Sequence, residues 1–439
     1  MWRKLGLSVL YFFCVGMILT ACSDATESGK EQDEATTKKE IVTEVWNENG
    51  EPVTVKVMYP WGEDAFEEHV VKVIEDEIPK NITLECICIP AQLEPLQEMN
   101  AQGTIPDIIL AQWGIDPLYE LEMFEPVDDY VEKYGVDISE FDESVIATYR
   151  AMDPEGKGQL IGLPTLVDTA GLFYNKEIFD IFGVPYPDPE RPMTWEEVRE
   201  LAAKMTGQRN GVDYRGFELG LGIKDASLPL KEFGINLTDP ETGEVLITDS
   251  PEVRQYLEFI QQLYNIPGLY DPEAEDTDKF AEKTAAMTVS WPAYFRWGLG
   301  GVPEDIKMID AAPIPVWEEG GKGPLNYSHP YVLNKYGENK DAGFQVILAI
   351  AKVYNRDPLT NPYSEFSETH ENYPIYEGKN MKVFWNYDGA LPPSRLSKWD
   401  EYVNLGEDLH KLSEGLDINE FLRILKEESE IKIEEEKLE

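Results

Sequence analysis

Val53-Thr54-Val55-Lys56-Val57-Met58 alternates apolar and polar side chains. The turn Tyr59-Pro60-Trp61-Gly62 follows, and then Phe66, Val70, Val73, Ile74 and Ile78 recur at helical spacing. A period of two predicts a strand, and a period near 3.6 an amphipathic helix. The unit recurs at once, with a strand-like run over Ile82 to Ile89 and a helix around Leu93 to Gln102. Pro106-Asp107-Ile108-Ile109-Leu110 then reads as a continuous apolar strand of the kind buried on both faces. Strands that alternate with helices predict an α/β fold with a mostly parallel sheet covered on both sides.

Working outward, the chain begins Met1-Trp2-Arg3-Lys4, continues with an apolar core from Leu5 to Leu19, and reaches Leu19-Thr20-Ala21-Cys22. A basic start, a short apolar segment and small residues before a cut mark a secretory signal over residues 1–21. The core is short for a spanning helix. The cysteine after the small residue resembles the lipobox of bacterial lipoproteins, which makes Cys22 the lipidated first mature residue. Residues 22–52 are rich in Glu, Thr, Lys and Asp and read as a flexible tether.

Further along, Thr194 and Glu197 form a capping box for a helix that runs to Met205. Leu237 to Thr248 reads as a hairpin around Asp239-Pro240-Glu241-Thr242-Gly243, and Ser250-Pro251-Glu252 opens another helix. Thr284 to Ser290 is a further apolar strand. The chain becomes helix-rich after Pro330 and ends in a charged helix from about Ile418.

The chain has 439 residues, enough for two lobes with separate cores. Its formal charge of -46 repels nucleic acid and disfavours polyanionic substrates. Cys86-Ile87-Cys88 sits in the second strand, where both sulfurs face one way; a bridge between such neighbours is strained, and two buried apolar cysteines is the expectation. The four histidines, His69, His329, His370 and His410, are scattered, which disfavours a zinc centre. No cofactor or metal is expected. The Asp239 to Glu244 stretch lacks the ligand spacing of a calcium loop and is a turn.

Several of these pieces, in this order, resemble the extracellular solute-binding family that includes maltodextrin- and other oligosaccharide-binding lipoproteins. The carrying segments are Pro106-Asp107-Ile108-Ile109, Gly162-Leu163-Pro164 leading to Gly171-Leu172-Phe173-Tyr174-Asn175-Lys176, the Thr194-Trp195-Glu196-Glu197 box, and Lys283-Thr284-Ala285-Ala286-Met287-Thr288-Val289. The resemblance implies a two-lobed periplasmic-binding-protein-like fold of type II, with the ligand cleft between the lobes. Lobe 1 is expected from residues 53–167 and 324–355, and lobe 2 from 171–310 and 356–439. The crossings are expected at 165–170 and 311–323, with a third after Asn355. A lipid-anchored monomer on the outer face of a bacterial membrane, partnered by the permease of an ABC transporter, is implied as well.

A sugar presents hydroxyls and apolar C–H faces, so its site needs carboxylates, amides and flat rings. In open α/β sheets such a site is lined by loops at the carboxyl ends of strands. Those loops offer Trp61 and Glu63 after the first strand, and Trp113 and Asp116 after the strand at Ile108. Trp291, Tyr294 and Trp317 follow the later strands. Asp168 matches, by the resemblance, a ligand-contacting carboxylate of maltodextrin-binding relatives; the same resemblance places a stacking ring near Trp291. Trp195 is read as helix packing and Trp297 as core. A lipid-anchored glycoside hydrolase is the alternative from another class, since carboxylate pairs abound. Yet there is no Gly-x-Ser-x-Gly elbow and no His-Glu-x-x-His. A non-sugar solute receptor of the same fold is the other alternative.

Overall fold

The computed structural model describes residues 44–112, 114–165, 167–219, 226–270, 277–325, 327–362, 364–386, 388–406 and 409–438. The expected signal, Cys22 and Trp113 lie outside them.

The alternating run becomes β1 (Val53–Met58), which pairs in parallel with β2 (Ile82–Ile87) and β3 (Ile108–Leu110). The chain then adds the short β4 (Phe124–Glu125). β12 (Tyr331–Asn334) arrives much later and inserts antiparallel between β3 and β4, giving the order β2-β1-β3-β12-β4. Ile108, Ile109 and Leu110 are buried, as an apolar run covered on both faces requires. Asp107 pins the sheet from inside. It is buried, and its carboxylate accepts from Lys56 N at 2.9 Å and Asn339 N at 2.8 Å. One acid thus ties β1, β3 and the start of helix Lys340–Tyr354 together.

The second sheet differs. β6 (Gly171–Asn175) is central, with β9 (Met287–Ser290) and β10 (Ile309–Pro313) antiparallel on either side. The expected parallel sheet therefore holds for β1 to β3 and not here. One aromatic-rich cluster, with Trp195, Phe217, Tyr256 and Phe259, packs with this sheet. Phe173, Phe280, Phe295, Tyr376 and Phe384 form another. Close packing sets a backbone requirement at Gly171, where an added Cβ would lie 2.7 Å from Phe384 Cε1. A small hairpin, β7 (Gly207–Arg209) with β8 (Val212–Tyr214), stands apart from both sheets.

A two-stranded ribbon joins the halves. β5 (Val167–Asp168) pairs antiparallel with β11 (Tyr327–Ser328), and Thr165 Oγ1 donates to His329 O at 3.0 Å. The crossing expected at 311–323 is thereby displaced. Residues 309–313 form β10, Ile314 and Trp317 pack in the second core, and Val316 bridges Thr194. The apolar side chains of that stretch find a core instead of crossing a gap.

Local signals otherwise translate directly. Thr194 and Glu197 form the capping box, with Thr194 N donating to Glu197 Oε2 at 2.7 Å. Ser250 caps helix Pro251–Tyr264. Asp239 Oδ1 accepts from Glu241 N and Thr242 N in the expected turn. Two further readings are corrected. Cys86 and Cys88 are disulfide-bonded and only half-buried, because the end of β2 lies on an edge strand that leaves their sulfurs partly open. The last part of the expected tether is docked: Trp46, the only aromatic in residues 22–52, donates Nε1–H to Asn81 Oδ1 at 2.9 Å, and Glu44 N donates to Lys133 O.

Candidate binding site

Strand register decides where a site can form. In the second sheet Gly171 stands opposite both Ser290, the last residue of β9, and Pro313, the last of β10. Gly171 begins only three positions after the ribbon residue Asp168, so the carboxyl ends of β9 and β10 abut the ribbon. In the first sheet Leu110, the end of β3, stands opposite Tyr331, three positions after Ser328 of the ribbon. Both sheets therefore turn strand ends toward the same two-stranded floor, where the loops of an α/β site belong.

On the first sheet's side, Trp61 is about half exposed (51 %) and meets Tyr59 edge-on at 5.1 Å. Tyr59 is itself held by its backbone N–H to Ile87 O at 3.0 Å. Glu63 is exposed at the start of the helical turn Glu63–Phe66. Gln112 follows β3 and its amide lies 3.3 Å from His329 Nε2, beside the ribbon; burial lowers the His329 pKa. Asp116 opens helix Asp116–Glu120 and is reached by solvent. Surrounding protein nevertheless pushes its carboxyl above the usual range, an effect that Lys398 partly offsets. Glu401 is likewise solvent-exposed and raised, first by burial and next by the charge of Asp116. A carboxylate open to water yet crowded by protein is what a cleft wall presents.

That coupling brings in residues that strand-end reasoning missed. Lys398, Glu401 and Tyr402 lie on the short helix Lys398–Tyr402, whose Trp399 and Tyr402 pack with the second core. They lie far along the chain in a polar segment without periodicity, and no sequence signal marks them. The same segment also reaches the helix Glu143–Ala151, whose Val145 and Tyr149 belong to the first sheet's core: Leu396 N donates to Ala151 O at 2.7 Å and Arg395 Nη2 to Pro154 O at 2.6 Å.

The second sheet's rings divide. Trp291 directly follows β9, is half-buried, and lies at the ribbon end of the sheet. Tyr294 is buried; its hydroxyl donates to Asp278 Oδ2 at 2.6 Å and its ring meets Phe173 edge-on at 5.3 Å. Trp317 donates Nε1–H to Pro229 O at 2.6 Å and stacks on Phe233 at 5.2 Å. Tyr294 and Trp317 thus spend their polar atoms inside the protein and serve packing. Trp195 packs as read, fully buried, with Nε1–H donating to Glu232 Oε1 at 2.7 Å. Trp297 is corrected: it is 70 % exposed, because Tyr294 and Phe295 take the inner face of their single helical turn. Arg296 covers its ring at 4.8 Å. For Asp168 the backbone pairing with Tyr327 is the described feature.

Among the described residues, no group of three or more His, Cys, Asp or Glu side chains is placed to hold a metal, and no helix is long and apolar enough to cross a membrane.

The family model for bacterial extracellular solute-binding proteins matches residues 96–352, more than half of the chain. The chain belongs to this family. Solute-binding relatives include an arabinooligosaccharide-binding protein of Halalkalibacterium halodurans, 26% identical over 275 residues that span 59% of this chain and 57% of that one. A maltodextrin-binding protein of Bacillus subtilis is 23% identical over 342 residues, 76% of this chain and 73% of its own length. The sugar-binding protein MalE of Xanthomonas citri matches in fold with a TM-score of 0.67 at 20% identity, covering 88% of this chain and 99% of that one. The solute-binding fold is two-lobed α/β, and the first and second sheets are its lobes.

Proposed function

We propose that this solute-binding protein captures a carbohydrate, in particular an oligosaccharide, by closing its lobes and delivers it to the permease of an ABC transporter. The observation that carries this reading is the register that turns both sheets' strand ends onto one ribbon, with an exposed indole and carboxylates in the segments that follow the first sheet's strands. Trp61, Asp116 and Glu63 come from the first lobe, and Trp291, Lys398 and Glu401 from the second. Indoles suit the C–H faces of a sugar ring, and carboxylates accept from its hydroxyls. The arabinooligosaccharide- and maltodextrin-binding relatives support the same ligand class.

A ligand favours the closed form only through contacts that both lobes make, and the ribbon β5–β11 with the chain after Asn355 is the hinge about which they swing. Asp168 would contact ligand from that hinge. The mature protein is a receptor without turnover, tethered through lipid on Cys22 after removal of residues 1–21.

Calorimetric titration with maltotriose, arabinotriose and mannotriose tests the reading. Saturable binding of at least one, at one ligand per chain and with no release of reducing sugar, supports it. Absence of binding across the series, or hydrolysis of the bound sugar, overturns it. Mass spectrometry of membrane-extracted protein tests the anchor, which requires a diacylated Cys22 at the amino end.

A further inference from the structure

The end of β6 remote from the ribbon carries a second feature. Across β6 from Gly171, the far end is Asn175 opposite Ile309, about 13 Å from the ribbon end at the rise of a strand. A cavity of about 250 Å³ opens there, and three lysines converge on it: Lys176, Lys307 and Lys379. Pro303, Pro374 and Ile375 supply much of the remaining wall. In a chain of formal charge -46, three cations around one cavity stand against the general field.

The three are not equivalent. Lys176 is paired with Asp310 at 2.7 Å, and the other oxygen of Asp310 already accepts from Asn380 N and Ala311 N. Lys307 is paired with Glu304 on the surface. Lys379 Nζ donates to the backbone carbonyls of Ile306 and Ile309, both at 2.8 Å, and lies 5.3 Å from the Phe295 ring centroid. Among the described residues no carboxylate lies within ion-pair distance of it. Two carbonyls use two of its three donors. Burial pulls the Lys379 amine down to about 8, with Asp310 opposing that shift and Lys176 adding to it. Glu377 is the acid on the cavity's own wall, and it is exposed.

We propose that this cavity is a binding site for one small oxyanion, a phosphate, sulfate or carboxylate, held by Lys379 with Lys176 and Lys307. The anion adds to the charge of Asp310, which acts on Lys379 from beyond ion-pair distance, and takes the third N–H of Lys379 in a charge-assisted hydrogen bond. The site is separate from the sugar cleft, and its occupancy is independent of the sugar reading.

The test is thermal unfolding and calorimetry of the full chain with sodium phosphate, sulfate or acetate, at ionic strength held constant with chloride. A saturable stabilisation by at least one oxyanion is expected, and the order of the three identifies the source. Lys307 is exposed, so Lys307→Gln leaves unliganded stability unchanged and weakens the anion by about fivefold, the worth of one rim charge. Lys379→Met abolishes binding; should that variant fail to fold, Glu377→Gln, which removes the acid on the wall, must tighten binding instead. A response equal to that of chloride, or identical in wild type and Lys307→Gln, overturns the proposal.

Discussion

In the first lobe the leading strands are parallel, and a buried carboxylate, Asp107, holds three segments by backbone hydrogen bonds, while Trp61 remains open to solvent. In the second lobe the strands are antiparallel, two aromatic clusters accompany the sheet, and the polar atoms of Tyr294, Trp195 and Trp317 are all bonded inward. A ring that follows a strand therefore has more than one meaning: Tyr294 and Trp317 are spent on packing, with polar atoms bonded inward and faces covered, whereas Trp61 is open and Trp291 only half-buried. Composition does not carry that distinction, because both lobes draw on the same residue types.

The contrast predicts where each lobe is most easily broken. Asp107→Ala leaves two half-buried backbone donors, Lys56 N and Asn339 N, without an acceptor, each worth about 1–2 kcal/mol, so about 3 kcal/mol of stability is lost. Tyr294→Phe in the second lobe removes one hydroxyl bond to a carboxylate and costs about 2 kcal/mol. Urea unfolding midpoints measure both. If Tyr294→Phe costs as much as Asp107→Ala, the first lobe is not the one held by a single polar pin.

Binding should show the opposite order. Trp61→Ala removes an exposed ring and changes stability by no more than about 0.5 kcal/mol, yet it weakens oligosaccharide binding by about tenfold through loss of a stacking face. Tyr294→Phe leaves sugar affinity as it was. Titration of the two variants beside wild type decides the matter. Equal affinity in wild type and Trp61→Ala would place Trp61 with the packing rings.

How much was legible follows the same division. The strand-helix alternation from Val53 to Leu110 was readable because period two, period 3.6 and a continuous apolar run are local properties. The capping box at Thr194 and the turn at Asp239 were readable for the same reason. The antiparallel second sheet was not, since Met287–Ser290 and Ile309–Pro313 are short apolar runs whose direction is set by partners more than a hundred residues away. The crossing at 311–323 was carried over from the family resemblance and not read from the residues, and Ile314 and Trp317 find their core only in three dimensions. Lys398 and Glu401 escaped notice because nothing in their polar neighbourhood announces that it faces Asp116.

The smallest effect separates the lobes by pH. Glu232 is buried beneath the second lobe's rings, and burial holds its carboxyl well above the usual range despite the hydrogen bonds offered by Trp195 and Trp317. Burial also raises Asp400, which is bonded to Leu237 N and Thr238 N. A raised value in the folded chain means that folding takes up a proton. The stabilisation is therefore complete below the unfolded glutamate value of about 4.3 and is lost as pH rises through the folded one. Unfolding temperature should accordingly climb as pH is lowered from the alkaline side toward that value, until other carboxylates begin to lose their own partners. Glu232→Gln keeps an acceptor for Trp195 Nε1–H but carries no charge, so it should raise the unfolding temperature at alkaline pH and flatten the slope. Calorimetric scans of both proteins across that range measure the difference. A slope unchanged by Glu232→Gln would move the pH sensitivity out of the second lobe's aromatic core and onto the coupled acids Asp116 and Glu401, whose carboxyls are raised in the same direction.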